Sequence, residues 1–410
     1  MTHSLHVTAV QDAVDTDAGS GVAVRSTPGK IKVVHVINSL GIGGAELALF
    51  RLMTNADRAA FDMQVIALVH ESPLGERLRE AGFRVHCLSL SKKRVDASAM
   101  LRLVRLLRKE KPDIVQTWLQ HSDLLGGIAA KFAGVGPVLW NIRHSTLHPV
   151  LTKRRTRLVT QLCARLSAYI PAKIICCSES SREEQVKIGY AARKMVVISN
   201  GVNTSRFKPD PEAYRLIRNE IGIPLDALLF GAAGRFHPAK DHVNLIRAAG
   251  EIARQNTNAH FVFCGERVDM ENPELKAWVL ETGFADRFHL LGRRDDVQRV
   301  MAALDVFISS SGFSEGFPNV VCEAMSCGVP CVVTDVGDSA RIVGDTGRVV
   351  PPEQPSAIAK AALEFCSSGT NLLRKSGLEA QRRISGHFGI SRMVSRYQEI
   401  YSETVARERQ

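Results

Sequence analysis

At 410 residues the chain exceeds what one hydrophobic core serves, because cores stop growing at roughly 250–300 residues, so two domains are expected. Hydrophobic residues make up 45% and charged residues 23%, which suits a soluble globular protein, and no apolar run reaches the ~18–20 residues that span a bilayer. The net charge of +11 favours an anionic partner: nucleotide, nucleic acid or acidic lipid.

Residues 1–29 lack the basic start, apolar core and small-residue cleavage site of a secretion signal. Their Asp, Ser, Thr and Gly content predicts a disordered arm, and export is not expected. From Lys30 onward short β-branched runs (IKVVHVI, MQVIALV, RVHCLSL, DIVQTW, KIICCS) alternate with helical patterns (LALFRLMT, GERLREAG, AMLRLVRLLRK). That alternation predicts a parallel sheet wrapped by helices over 30–200. A second α/β set over 201–388 runs through ALLFGAAG, HFVFCGE, FHLLG, VFISSS, PCVVTD and GRVVPP. The Asn/Gly/Ser/Asp/Pro-rich stretch 196–214 reads as the linker, with a hinge at Asn200-Gly201. Residues 389–410 carry Ile390, Met393, Tyr397, Ile400 and Tyr401 at helical spacing, which predicts a helix packed on a neighbour. The nine cysteines are odd in number and scattered through apolar runs, so buried free thiols are expected.

The stretch SEGFPNVVCEAMSCGVP (314–330) carries two acids. A strand over 306–310 leads through a glycine-flanked loop holding Glu315 to Pro318, which suits the first helical position, and Gly328 and Pro330 end a helix of about 318–327. A helix start at the carboxyl end of a parallel strand offers free N–H groups and a positive dipole end to a phosphate. Glu315 is placed to reach a sugar and Glu323 to accept from ribose hydroxyls; for a lone pair of glutamates, a solvated loop acid and a surface helix acid would be the plainer reading. In the same half, Arg235 and Lys240 of GRFHPAK follow the first strand, where two cations can grip a diphosphate.

In SLGIGGAELALF (39–50) Glu46 stands where a dinucleotide fingerprint needs Gly or Ala, so a nicotinamide site is disfavoured. Gly43 and Gly44 either let backbone amides approach a phosphate or form a plain tight turn. No metal site is expected: HExxH is absent, and the Asp15-Thr16-Asp17 triplet falls in the arm. No cofactor is expected either.

GIGGAE, VISNGVN, GRFHPAK, LGRRDDV, SEGFPNVVCEAM and PCVVTDVG, in this order, resemble the retaining group 1 (family 4) glycosyltransferases of GT-B fold, over roughly Lys30 to the C-terminus. The resemblance implies two Rossmann-like doubly wound domains facing across a cleft. The N-terminal one would take the acceptor, the C-terminal one a nucleotide-sugar donor, and the last helix would cross back onto the first domain. It implies that Arg235 and Lys240 hold the donor diphosphate, Glu323 binds ribose, and Glu315 contacts the sugar. The backbone of Gly316, Phe317, Pro318, Asn319 and Val320 would cap the phosphates. Arg293 would lie in the loop bordering the base, and Gly43 and Gly44 would meet the donor from the opposite domain. Family members often carry His-x-His where this chain has Gln116 and Trp118; His121, three residues on, is taken as a site residue, beside the reading that it merely starts a helix. Arg143 and His144 are further cleft candidates.

The implied reaction moves a hexose-type sugar, with UDP as the expected carrier, to a cell-envelope polysaccharide or lipid-linked glycan, with retained configuration and no metal. A nucleotide-sugar epimerase on the same fold is the second reading. Lys92, Lys93, Arg94, Arg102, Arg105, Arg108 and Lys109, and Lys153, Arg154, Arg155 and Arg157 ahead of Leu158, Leu162 and Leu166, suggest peripheral contact with an anionic membrane at its cytoplasmic face. Solvated helix faces over an apolar core are the alternative. With 6% aromatic residues and no aromatics among the basic runs, nucleic acid is not an expected partner.

Overall fold

The computed structural model describes residues 29–41, 43–70, 73–90, 97–143, 153–367 and 369–410. Almost all of the expected arm, with Lys92, Lys93, Arg94 and His144, lies outside them.

The N-terminal half is a seven-stranded sheet: β1 (Ile31–Ser39), β2 (Phe61–His70), β3 (Arg84–Cys87), β4 (Ile114–Trp118), β5 (Val138–Ile142), β6 (Lys173–Cys176) and β7 (Met195–Val197). The order is β3-β2-β1-β4-β5-β6-β7 and every pairing is parallel. The C-terminal half has six parallel strands: β8 (Leu228–Ala233), β9 (Ala259–Cys264), β10 (Phe288–Leu290), β11 (Val306–Ser309), β12 (Cys331–Thr334) and β13 (Arg348–Val350), in the order β10-β9-β8-β11-β12-β13. Helices cover both faces, so the strands are buried on both sides and read as apolar runs; β4 and β5 are buried throughout. The fold is two Rossmann-like α/β domains. In each sheet the strand order reverses once, at β1/β4 and at β8/β11, which is where such sheets open a crevice beyond their carboxyl ends.

The chain passes between the halves twice. Val202 N–H donates to the Phe388 carbonyl at 2.8 Å and Ile390 N–H to the Val202 carbonyl at 3.1 Å, so the two passages are hydrogen-bonded to each other. Gly201 permits this approach, since a Cβ there would stand 2.6 Å from the Cα of Ile390. Beyond the second passage the helix Ile390–Glu408 buries Met393, Tyr397, Ile400 and Tyr401 against a core that includes Val33 and Ile37 of β1 and Leu49 and Leu52 of the first helix, Gly44–Asn55. Tyr397 Oη accepts from Asn141 Nδ2 at 2.8 Å, and Tyr401 Oη donates to Gln116 Oε1. These bonds satisfy polar groups deep under β4 and β5.

All nine cysteines are free and seven are buried. Among the described residues no helix is long and apolar enough to cross a membrane.

Candidate active site

The loops after β8 and β11 are joined to each other. Gly312 N–H donates to the Ala239 carbonyl (3.0 Å) and Ser310 Oγ to the Lys240 carbonyl (2.8 Å). That stitching sets the Lys240 ammonium against the Glu315 carboxylate, whose Oε1 also accepts from Ser311 Oγ at 3.0 Å. The pair is mostly buried, with side chains 27% and 13% exposed. Lys240 lines a crevice at the carboxyl ends of β8, β9 and β11 together with Gly234, His242, Ser310, Ser311 and Val320. Burial and the neighbouring Lys240 pull His242 down to about 4, so it is a neutral wall at physiological pH.

The helix Asn319–Ser326 starts at this crevice. Its first described intrahelical bond runs from Val321 N–H to the Pro318 carbonyl at 3.1 Å, which leaves the N–H groups of Asn319 and Val320 ahead of the ladder, where the dipole is positive. Pro318 is the N-cap rather than the first helical residue that the sequence suggested: its ψ of 96° is extended, so the helix opens one residue later. Phe317 is buried and packs on Phe388 with ring centroids 5.6 Å apart, tying the loop to the second chain passage. The neighbouring loop after β12 presses on Glu315 so closely that a Cβ at Gly337 would come within 2.4 Å of the Glu315 carbonyl, and Gly337 has φ +63°.

Arg235 departs from expectation in part. It is exposed, makes no ion pair with a described residue, and is not a wall of the crevice that Lys240 lines. The shared crevice therefore joins Lys240, Val320 and the serines of the β11 loop, with Arg235 at its outside. Arg293 is likewise exposed and unpaired, whereas Arg294 beside it is held by Glu220 and by Asp296 at 2.7 Å.

Glu323 is no surface acid. Its side chain is 12% exposed and stands 3.7 Å from Arg51 of the first helix, in the opposite half. Burial raises its pKa, opposed by Arg51 and Arg206. Arg51 also donates to the Gly201 carbonyl at 3.0 Å. At the start of that helix Gly43 is the N-cap, with extended φ −147°, and a Cβ on it would meet the Glu46 carboxylate at 2.5 Å. Gly44 is exposed and a Cβ there would touch nothing within 4 Å, so no described protein atom accounts for the glycine.

His121 is the second residue of the helix Gln120–Ala133, half-buried, with its pKa lowered by burial. Gln116 and Trp118 are not vacant site positions: Gln116 accepts from Tyr401, and Trp118 Nε1 donates to His35 Nδ1 at 3.2 Å. Arg143 is spent at the chain passage, where it donates to Asn200 Oδ1 and to Tyr397 Oη (3.4 Å) and lies over the Trp118 ring. Asn200 Nδ2 in turn donates to Asn319 Oδ1 at 2.8 Å.

Two residues of this arrangement escaped sequence reasoning, Arg51 and Asp338; Asn200 was expected at the hinge, but without a side-chain role. Asp338, after β12, accepts from the amides of Glu179 (3.0 Å) and Ser180 (2.9 Å) at the start of the helix Glu179–Ile188 in the other half, while its own N–H donates to the Gly316 carbonyl at 3.0 Å. The one available signal was Arg51 itself, a lone cation in an otherwise apolar helix face.

Comparison with known proteins agrees with this geometry. Residues 227–368 match the family described as Glycosyl transferases group 1, and residues 42–206 match Glycosyltransferase Family 4. Over 397 residues the chain is 28% identical to the UDP-Gal:alpha-D-GlcNAc-diphosphoundecaprenol alpha-1,3-galactosyltransferase of Escherichia coli, covering 93% of this chain and 99% of that protein. It is 24% identical over 310 residues to the N,N'-diacetylbacillosaminyl-diphospho-undecaprenol alpha-1,3-N-acetylgalactosaminyltransferase of Campylobacter jejuni, covering 73% and 80%. Among solved structures, Anabaena HepE in complex with UDP superposes with a TM-score of 0.78 at 22% identity, covering 91% of this chain and all of that one. A Rickettsia africae glycosyltransferase gives 0.79 at 18% identity, covering 92% and 99%. The chain belongs to the group 1, family 4 glycosyltransferases and has their GT-B fold.

Proposed function

We propose that the enzyme transfers a hexose-type sugar from a UDP-linked donor to a lipid-linked glycan or cell-envelope polysaccharide, with retention of configuration. The observation that carries this reading is the Lys240–Glu315 contact beside the open amides of Asn319 and Val320. A pyrophosphate seated there meets a fixed cation and a helix start, both of which stabilise the charge that grows on the leaving oxygen. Glu315 then lies at the sugar and Glu323 at the ribose, with Arg235 closing over the diphosphate from outside the crevice. Gly44, free of packing demands, lets the opposite half approach the donor. His121 borders the acceptor side as a neutral imidazole. The charge supplied by Lys240 and Arg235 makes a metal unnecessary for departure of the diphosphate. That the relative from Escherichia coli uses a UDP-sugar and a diphosphoundecaprenol-linked acceptor supports the choice of donor and acceptor.

The same reading places the N-terminal half on an anionic membrane at the cytoplasmic face. Leu158 and Leu162 are exposed, at 64% and 43%, on the helix Arg154–Leu166, which also presents Arg154 and Arg155. Phe132 is exposed on the helix Gln120–Ala133, which packs on Arg154–Leu166, and Leu101 with Arg102 and Arg105 on the helix Ala97–Glu110, which packs on Gln120–Ala133 in turn. Exposed apolar side chains among cations suit a headgroup boundary.

The test is incubation of radiolabelled UDP-sugars with a diphosphoundecaprenol-linked acceptor and EDTA. Transfer that survives EDTA and gives an α-linked product from an α-linked donor supports the reading. Conversion of the donor alone, without acceptor, would establish the epimerase instead. Flotation with phosphatidylglycerol vesicles but not with phosphatidylcholine vesicles checks the membrane contact.

A further inference from the structure

Between the halves, beside edge strand β7 and away from the β1/β4 and β8/β11 switch points, lies a second cavity of about 330 Å³. Ser199 of the N-terminal half, Arg341, Arg383 and His387 of the C-terminal half, and Arg392 of the last helix all face it. Its acids are already engaged: Asp338 caps the Glu179–Ile188 helix, and Glu179 pairs with Arg182 at 3.1 Å. Its guanidiniums are not. Arg383 donates to the carbonyls of Ile342 (2.8 Å) and Arg341 (2.7 Å), which fixes its plane in the wall, and it pairs with no carboxylate among the described residues. Arg341 and Arg392 make no ion pair with any described residue.

Three guanidiniums share this space with the two carboxylates of Asp338 and Glu179, so cations outnumber acids in its lining, and guanidinium forks match the oxygens of a phosphate. We propose that this cavity is an anion site for a phosphate dianion, either free or as a phosphate monoester, and that occupancy favours the arrangement of halves described above. The coupling is visible in the contacts. Arg383 is anchored to the segment that Asp338 begins, and Asp338 holds a helix of the opposite half with its carboxylate and the Gly316 carbonyl, next to Glu315, with its amide. The site is separate from the donor crevice and does not depend on the transfer reading.

The experiment is titration calorimetry with inorganic phosphate at constant ionic strength, on the full chain carrying R235A and K240A so that the donor crevice does not contribute. The expected result is one phosphate per chain, with Kd raised about tenfold or more when R341A or R392A is added. Both side chains are exposed and unpaired, so the variants should keep the parent's circular dichroism and melting midpoint. Displacement of phosphate by phosphatidylcholine vesicles containing phosphatidate would identify a lipid head group as the source, and displacement by glycerol phosphate alone a soluble ester; either supports the site. No phosphate binding in the R235A/K240A background, or binding that R341A and R392A leave unchanged, would overturn it.

Discussion

Arg51 and Glu323 come from opposite halves of the molecule and meet at 3.7 Å, while the same guanidinium bonds the Gly201 carbonyl where the chain first passes between them. The Glu323 carboxyl is raised above its usual 4.5 by burial, with Arg51 working against that rise. A carboxyl raised in the native state binds its proton more tightly there than in the unfolded chain, so the stability it contributes is present at low pH and is lost as pH climbs through the raised value. Removing Arg51 lifts that value further. R51A is therefore expected to cost about 1–3 kcal/mol near neutral pH and less below 4.5, where Glu323 is protonated in both proteins and the bond to the Gly201 carbonyl is what remains to be lost. Urea unfolding at the two pH values checks this, and an equal penalty at both would refute it.

Lys240 is expected to matter for chemistry. K240M should lower kcat/KM by about 10²–10³, the effect typical of losing one charge-stabilising group, and also lower the melting midpoint, because Glu315 is left without its ion-pair partner. K240R, which keeps the charge but not the point geometry, should recover only part of the loss. Initial rates with a labelled donor decide it.

Asp338 caps a helix across the gap between the halves. D338A removes the acceptor for two amides and should cost about 1 kcal/mol. Exchange of the Glu179 and Ser180 amides with solvent should speed up relative to that of Ser181, whose amide still donates to Ser178 Oγ at 3.0 Å. Hydrogen exchange resolved by residue reads the difference.

The last helix is held by buried polar bonds as well as by apolar contact. Y397F strands Asn141 Nδ2, and Y401F strands Gln116 Oε1, so each should destabilise by about 1–3 kcal/mol, measured by denaturant unfolding. An enzyme cut after Phe388 should lose the cooperative unfolding of the N-terminal half, because the core residues around Val33 and Leu49 lose their cover.

The alternation of β-branched runs with helical patterns made the two sheets readable, since strands buried on both faces must be apolar throughout. Two strands escaped: β5 (VLWNI) carries an asparagine whose amide the distant Tyr397 accepts from, and β7 (MVV) runs into the stretch read as linker. Lys240 and Glu315 were legible because their motifs lie near one another in kind and order. Arg51 and Asp338 were not, because each gains its meaning from partners 150 or more positions away, and no local pattern encodes that meeting. Leu158 and Leu162 mark a different limit: helical spacing is the same whether the stripe faces protein or solvent, so a membrane face and an apolar core stood as alternatives until the fold placed both leucines at the surface.

The bonds between Val202 and the Phe388–Ile390 backbone have a mechanical consequence. Two covalent links set apart would let the halves slide or twist independently, but links fastened together at a single place act as a pivot. Any parting of the halves would then be a swivel about that place, in which a few degrees at the axis become ångströms at the far rim.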